Sequence, residues 1–298
     1  MKVISYSLFG YDRVKPENCF DFNSYLRGLT LCLRFNRLLY PDWQTILQTD
    51  VATYEAFENL FKPLEANGTL IVEKNRNGAK LCEAMLWRLK PIFNSDVTHV
   101  LCRDLDSPAT YREAQAVQYW VNNGSKVLHA ITDSVSHDLP LLGGMIGIQA
   151  GYFRDRLQMY GFKDLMELCH IDLSVKGSDQ TFLNQVIYPY FGQKGSDSIT
   201  QHYFKGHGNT WLSDYHTCNC WMSQPAVGHK AGCPLDTKLS IPDSMRQSDE
   251  CCQHIGSAGW NVVATDKFIM DNIDRFKDIA EVEELYPDIF KWNFNESR

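Results

Sequence analysis

At 298 residues, 44% hydrophobic and 22% charged, the sequence can bury the core of one large globular domain, or of one domain with an appendage. Its net charge of -7 argues against nucleic acid as the main partner, because that surface needs a basic stripe to displace counterions and none is visible. No apolar run approaches the roughly 18 residues that span a bilayer, so no transmembrane segment is expected.

The opening "MKVISYSLFGYDRVK" holds a short apolar run broken by Ser5, Tyr6 and Ser7 and lacks a small-residue cleavage site. It reads as a first strand rather than a signal peptide. A cytoplasmic chain with its ten cysteines reduced is the expectation. A helix is predicted around Asn23 to Leu39, a strand in "GTLIVEK", and a helix from about Ala79 to Pro91. Short β-type runs alternating with longer helical stretches predict an α/β layered domain with a mainly parallel sheet.

In "VTHVLCRDLDSP", Val97, Val100, Leu101 and Cys102 suit a buried strand, while Ser107 and Pro108 suit a helix N-cap and first turn. Tyr111, Ala114, Val117, Trp120 and Val121 then recur at helical spacing. Asp104 and Asp106 therefore fall in a strand-to-helix crossing, at the sheet edge where ligands of open α/β sheets bind. "KVLHAITD" predicts the next strand. "LPLLGGMIGIQAGYF" predicts another, with Gly143 and Gly144 allowing close backbone approach before it. "GSDQTFLNQVIYPYF" reads as a helix capped by Ser178, with Phe182, Val186 and Ile187 on one face.

From about 200 to 260 the chain is loop-rich and crowded with His and Cys, and "ATDKFIMDNIDRFKDIAEVEELYPDIF" reads as one or two amphipathic helices. The predicted organisation is an α/β unit over 1–198 and a loop-rich, helical lid over 199–298, in the same globule. Cys218, Cys220, Cys233, Cys251 and Cys252, flanked by His216, His229 and His254, supply enough thiolate and imidazole for a structural zinc. Their spacing is not that of paired Cys-x-x-Cys knuckles, so free thiols or a disulfide stay open.

An Asp-x-Asp pair suits a hard divalent cation, which can bridge a diphosphate and neutralise a leaving group. Two other readings stand beside it. The aspartates can simply end a strand and favour the next helix through its dipole. They can also be the nucleophile and general acid of a phosphatase, although that motif belongs on an early strand and its later acidic partner is missing here.

"LWRLKPIFNSDVTHVLCRDLDS", "HAITDSVSHDLPLLGGMIG" and "GSDQTFLNQVIYP", in that order, resemble successive blocks of nucleotide-sugar-dependent glycosyltransferases of the GT-A fold, in the glycogenin and lipopolysaccharide-galactosyltransferase class. The resemblance covers roughly residues 1 to 190. It implies a GT-A-like, Rossmann-type domain in which Asp104 and Asp106 hold manganese or magnesium and the donor diphosphate. Ser5, Tyr6 and Leu8 would lie beside the nucleotide base. Arg88 and Arg103 would neutralise donor charge, with a salt bridge to a nearby acid as the alternative for each.

By the same likeness Gly143, Gly144 and Met145 run along the donor sugar, and His129, Asp133 and His137 precede them near sugar hydroxyls. His137, Asp179 and Gln180 are the catalytic candidates, the last two beside an anomeric carbon whose oxocarbenium-like transition state needs fixed dipoles. A metal-ligating histidine is expected in a His-x-x-Gly-type stretch. His254 of "CCQHIGSAGW" is the candidate, with His202, His207 and His216 as competitors, and the usual Lys-Pro-Trp ending is absent. The implied activity is transfer of a sugar from a UDP-type donor to a hydroxyl of a glycan acceptor, with retention. A non-catalytic nucleotide-sugar or glycan-binding module on the same fold is the rival.

Overall fold

The computed structural model describes residues 1–15, 19–106, 109, 111–132, 139–192, 200–204 and 277–287. Seven strands, β1 (Lys2–Leu8), β2 (Trp43–Asp50), β3 (Ile71–Asn75), β4 (His99–Arg103), β5 (Leu128–Thr132), β6 (Met145–Gln149) and β7 (Thr200–Phe204), form one sheet in the order β3-β2-β1-β4-β6-β5-β7. Pairing is parallel throughout except at β6, which runs antiparallel to both β4 and β5. The α/β class with a mainly parallel sheet is therefore the observed one.

Helices cover both faces, as a parallel sheet requires. The helices are α1 (Cys19–Leu39), α2 (Val51–Ala56), α3 (Glu58–Ala66), α4 (Leu81–Leu86), α5 (Tyr111–Asn123), α6 (Ala150–Leu157), α7 (Phe162–Glu167), α8 (Ser178–Phe182) and α9 (Lys277–Glu283). Strand alternation sorts side chains into two cores. Ile4, Tyr6, Leu8 and Leu101 pack with α1, α3, α5 and α9. Val3, Val100, Cys102, Ile146 and Ile148 pack with α6, α7, α8 and the 3-10 turn Trp87–Phe93. In α5 the predicted apolar face holds: Val117 and Trp120 are buried, and Ala114 and Val121 pack against them.

The largest departure from the sequence reading is β2, a central strand that the hydrophobic pattern does not reveal. It buries Thr45, Gln48, Thr49 and Asp50. Buried polar groups are tolerated when they find partners, and these do: Asn36 donates to the Thr45 hydroxyl at 3.2 Å, and Asn75 donates to Gln48 Oε1 at 3.1 Å. Asp50 caps α2 by accepting from the Thr53 amide at 2.9 Å, and its other oxygen accepts from the Gly10 amide at 2.8 Å. Helices α2 and α3 were likewise not anticipated.

Three smaller expectations change. The helix predicted over Ala79 to Pro91 is α4 followed by the 3-10 turn. Ser178 is the first residue of α8 and not its cap; Gly177, at φ 87, occupies that position, and the Ser178 hydroxyl donates to Val175 O at 2.7 Å. The loop-rich region predicted from about 200 instead begins with β7, paired parallel to β5 at the sheet edge. Ser107 and Pro108 lie outside the described residues.

The Cys/His-rich segment, with Cys218, Cys220, Cys233, Cys251, Cys252, His216 and His229, also lies outside them. Cys32, Cys82, Cys102 and Cys169 are free thiols. Helix α9 buries Ile279 and Val282, and Asp278 receives Arg37 at 2.6 and 2.8 Å while Glu283 pairs with Arg34, so this part of the C-terminal region packs on the α1 face. No helix among the described residues is long and apolar enough to cross a membrane.

Candidate functional site

The chain runs outward from β1 through β2 to β3, then returns to lay β4 on the other side of β1. Helix α1 packs in one core and α4 in the other, and a crevice opens between them beyond the carboxyl ends of β1 and β4. A cavity of about 410 Å³ lies there. Ser7, Leu8 and Phe9 enter it from the end of β1, and Asp104, Leu105 and Asp106 from the end of β4. Phe22 and Tyr25 of α1 face Leu81, Met85 and Arg88 of α4 and the 3-10 turn across it.

Arg88 and Asp104 form an ion pair, and Arg88 Nε donates to Met85 O at 2.8 Å. The arginine side chain is 9% exposed and the aspartate side chain 37%. Burial alone would lower the Arg88 pKa, but the Asp104 carboxylate outweighs it, with Asp179 adding in the same sense, and the net shift is upward. Arg88 is a permanent cation on the cavity wall. The Cys32 thiol of α1 donates to Leu105 O at 3.5 Å, supporting the Asp104–Asp106 turn from below.

Gly144 explains why a glycine pair precedes β6. A Cβ built on it would overlap the Asp104 carboxylate, so only glycine lets the backbone lie against that side chain. Gly143 N–H donates to Gln180 Oε1 at 3.2 Å, and its Cα faces Asp179, whose side chain is buried. Asn184 exchanges two hydrogen bonds of 2.8 Å with the Leu141 backbone. The three sequence blocks around Asp104, Gly143–Gly144 and Asp179–Gln180 are thus in contact.

Other predicted residues are placed elsewhere. Arg103, one residue from Asp104, points to the opposite face, fully buried in an ion pair with Glu113 of α5 and donating to Cys102 O at 2.8 Å and Ile146 O at 3.1 Å. Its expected role beside a diphosphate gives way to the salt-bridge alternative, because strand alternation fixes its side.

Tyr6 is fully buried in the α1 core, its hydroxyl receiving Asn36 Nδ2 at 3.1 Å, so the ring is not open to a base. Ser5 is buried on the other face of the same strand. Leu8 does reach the cavity. Met145 is buried at the start of β6, opposite Arg103. His129 is buried and stacked on Trp120 at 5.4 Å, and it is not among the residues that line the cavity. Asp133, His137, His202, His207, His216 and His254 give no described side chain.

Sequence reasoning passed over Ser7, Phe22, Tyr25, Leu81, Met85 and Asn184. Phe22 with Tyr25, and Leu81 with Met85 and Arg88, share helix faces at i, i+3, i+4 and i+7 spacing, and that periodicity was the available signal.

The donor set suits a hard divalent cation. Two half-buried carboxylates on one wall, with space beside them, match an ion that takes oxygen ligands, keeps several waters and completes its shell from a substrate phosphate. Among the described residues no cluster of three His, Cys, Asp or Glu stands ready as a complete protein cage.

No family model matches the chain, and no curated protein matches it. Among solved structures, S. aureus TarS 1-349 is similar with a TM-score of 0.36 at 12% identity, over 52% of this chain and 49% of that one. S. aureus TarS 1-349 in complex with UDP-GlcNAc is similar with a TM-score of 0.44 at 11% identity, over 92% and 72% respectively. In the first of these alignments the chain spans about half of the TarS chain, 49%. Likeness at this level carries no residue roles from TarS to this chain.

Proposed function

We propose that this protein is a metal-dependent glycosyltransferase that moves a sugar from a nucleoside-diphosphate donor, UDP by preference, to a hydroxyl of a glycan or similar acceptor, with retention. The observation that supports it best is the convergence, at the β1/β4 switch point, of Asp104, Asp106 and Arg88 around one cavity, with Gly144 against Asp104 and Asp179–Gln180 behind Gly143.

In this reading Asp104 and Asp106 hold manganese or magnesium, which when bound supplies positive charge to the departing diphosphate. Arg88 gives a second cation, moving from Asp104 towards a phosphate oxygen as donor enters. Phe9, Phe22 and Tyr25 exclude water from the donor. Asp179 and Gln180 present a carboxylate and an amide dipole towards the anomeric carbon, where positive charge develops as the bond to phosphate breaks. The departing phosphate accepts the proton of the acceptor hydroxyl on the same face of the sugar.

The test is thermal unfolding of the wild type and of Asp104→Ala/Asp106→Ala with UDP, GDP, CMP or dTDP, each with and without manganese. Ligand at about 100 times its dissociation constant adds roughly 2.7 kcal/mol, a shift of several degrees. A shift that needs one nucleotide, the metal and both aspartates supports the reading, and no shift with any pair overturns it. Turnover of the matching nucleotide-sugar then separates an enzyme from a binding module.

A further inference from the structure

The segment Leu141–Gly144 touches both halves of the site, and what holds its entrance is the Asn184 side chain in an unusual backbone. After α8 the chain runs into a π-helical turn, Leu183–Ile187, which shifts side chains out of ordinary α register. Asn184 sits in that turn. Its Oδ1 accepts from Leu141 N–H at 2.8 Å, while its Nδ2 donates to Leu141 O and to Gln180 O, each at 2.8 Å. The two bonds to Leu141 tie the entrance of the Gly143–Gly144 turn to the helix that carries Asp179 and Gln180, and the third fixes the Asn184 side chain on that same helix. Two residues on, Gly143 N–H donates to Gln180 Oε1, and Gly144 then lies against the Asp104 carboxylate too closely for any Cβ.

We infer that Asn184 is a positioning residue that sets the height of the Leu141–Gly144 turn over α8, so that Gly144 seats Asp104 in register with Asp179 and Gln180. The inference rests on the glycosyltransferase reading for its consequence, because the geometry so fixed is that between the metal-and-diphosphate carboxylate and the groups facing the transferred sugar. Asn184 touches no substrate. It acts through the glycine turn, much as groups outside a coordination shell orient the ligands inside it.

The test is a double-mutant cycle. Manganese-dependent UDP binding is titrated calorimetrically for the wild type, Asn184→Ala, Gly144→Ala and the double variant, with urea unfolding of each as the check on folding. Each single change is expected to weaken metal-dependent binding by about 10- to 100-fold, the usual cost of losing an outer-shell support. The double variant is expected to be no weaker than the poorer single variant, since both act on the same placement of Asp104.

Losses that multiply, or wild-type binding in a folded Asn184→Ala, would overturn the inference. If the wild type binds neither UDP nor manganese, the functional reading fails by itself, and the clamp is decided by the Gly144 amide resonance. That resonance should move on Asp104→Asn in the wild-type background and stop responding when Asn184 is alanine; an unchanged response would overturn the clamp.

Discussion

Two arginine–carboxylate pairs flank the end of β4 and meet opposite fates. On the α1/α5 side, Arg103 and Glu113 are each 2% exposed and enclosed by protein. On the other side, Arg88 is equally anchored but its partner Asp104 is 37% exposed and faces the cavity. Burial would lower the pKa of either arginine, and in both cases the facing carboxylate, Asp104 or Glu113, is the first of the groups that oppose it and leave the net shift upward. The same chemical pair is therefore a closed structural tie where both partners are dry, and an exchangeable one where the carboxylate can turn to another cation.

Removing one partner of the closed pair has the largest expected effect. Arg103→Met strands a buried carboxylate and should cost about 3–5 kcal/mol in urea unfolding, with most of it recovered in Arg103→Met/Glu113→Leu. At the open pair, Gly144→Ala pushes on Asp104 and should cost about 10- to 100-fold in metal-dependent nucleotide binding, read by calorimetry. Gly143→Ala, whose Cβ would come tightest on the flexible Gln180 amide at 3.3 Å, should cost less.

Arg88→Met should change stability by only about 0–1 kcal/mol, because water reaches the Asp104 left behind. Equal losses for Arg88→Met and Arg103→Met in urea would erase the contrast between the two pairs.

The smallest effect sharpens the closed side of β4. Burial, with Lys2 nearby, lowers the His99 pKa to about 4 from an ordinary value near 6.5. As pH falls from about 6.5 towards 4, the unfolded chain takes up a proton that the folded His99 refuses, so stability should fall across that window. His99→Phe should flatten this part of the urea-midpoint profile between pH 7 and pH 5; an unaltered slope would assign it to other groups.

Much of the fold was legible because periodicity reports burial directly. The α5 face, the first strand and the strand before Asp104 all emerge from apolar spacing, the glycine pair stands out in the sequence, and Asp179–Gln180 are marked by resemblance alone. Strand β2 was hidden because, beside Ile46 and Leu47, its buried positions are filled by Thr45, Gln48, Thr49 and Asp50, with partners that include Asn36, Asn75 and Gly10 from outside the strand. No local pattern can announce a hydrogen bond supplied from as far as 40 residues away.

The site divides the same way. Sequence by itself determined which residue types stand at the ends of strands and in which order the three blocks occur, since chain order and period-two alternation are local properties. It also held, unread, the fact that Arg103 and Asp104, as neighbours at the end of a strand, belong on different sides. Only the tertiary structure decided that Arg88 and not Arg103 meets Asp104, that Tyr6 belongs to the core, and that Asn184 holds the turn beneath which Asp104 rests. Those outcomes depend on strand order β3-β2-β1-β4 and on contacts between segments far apart in sequence, which arise only when burial of two apolar faces brings the segments together.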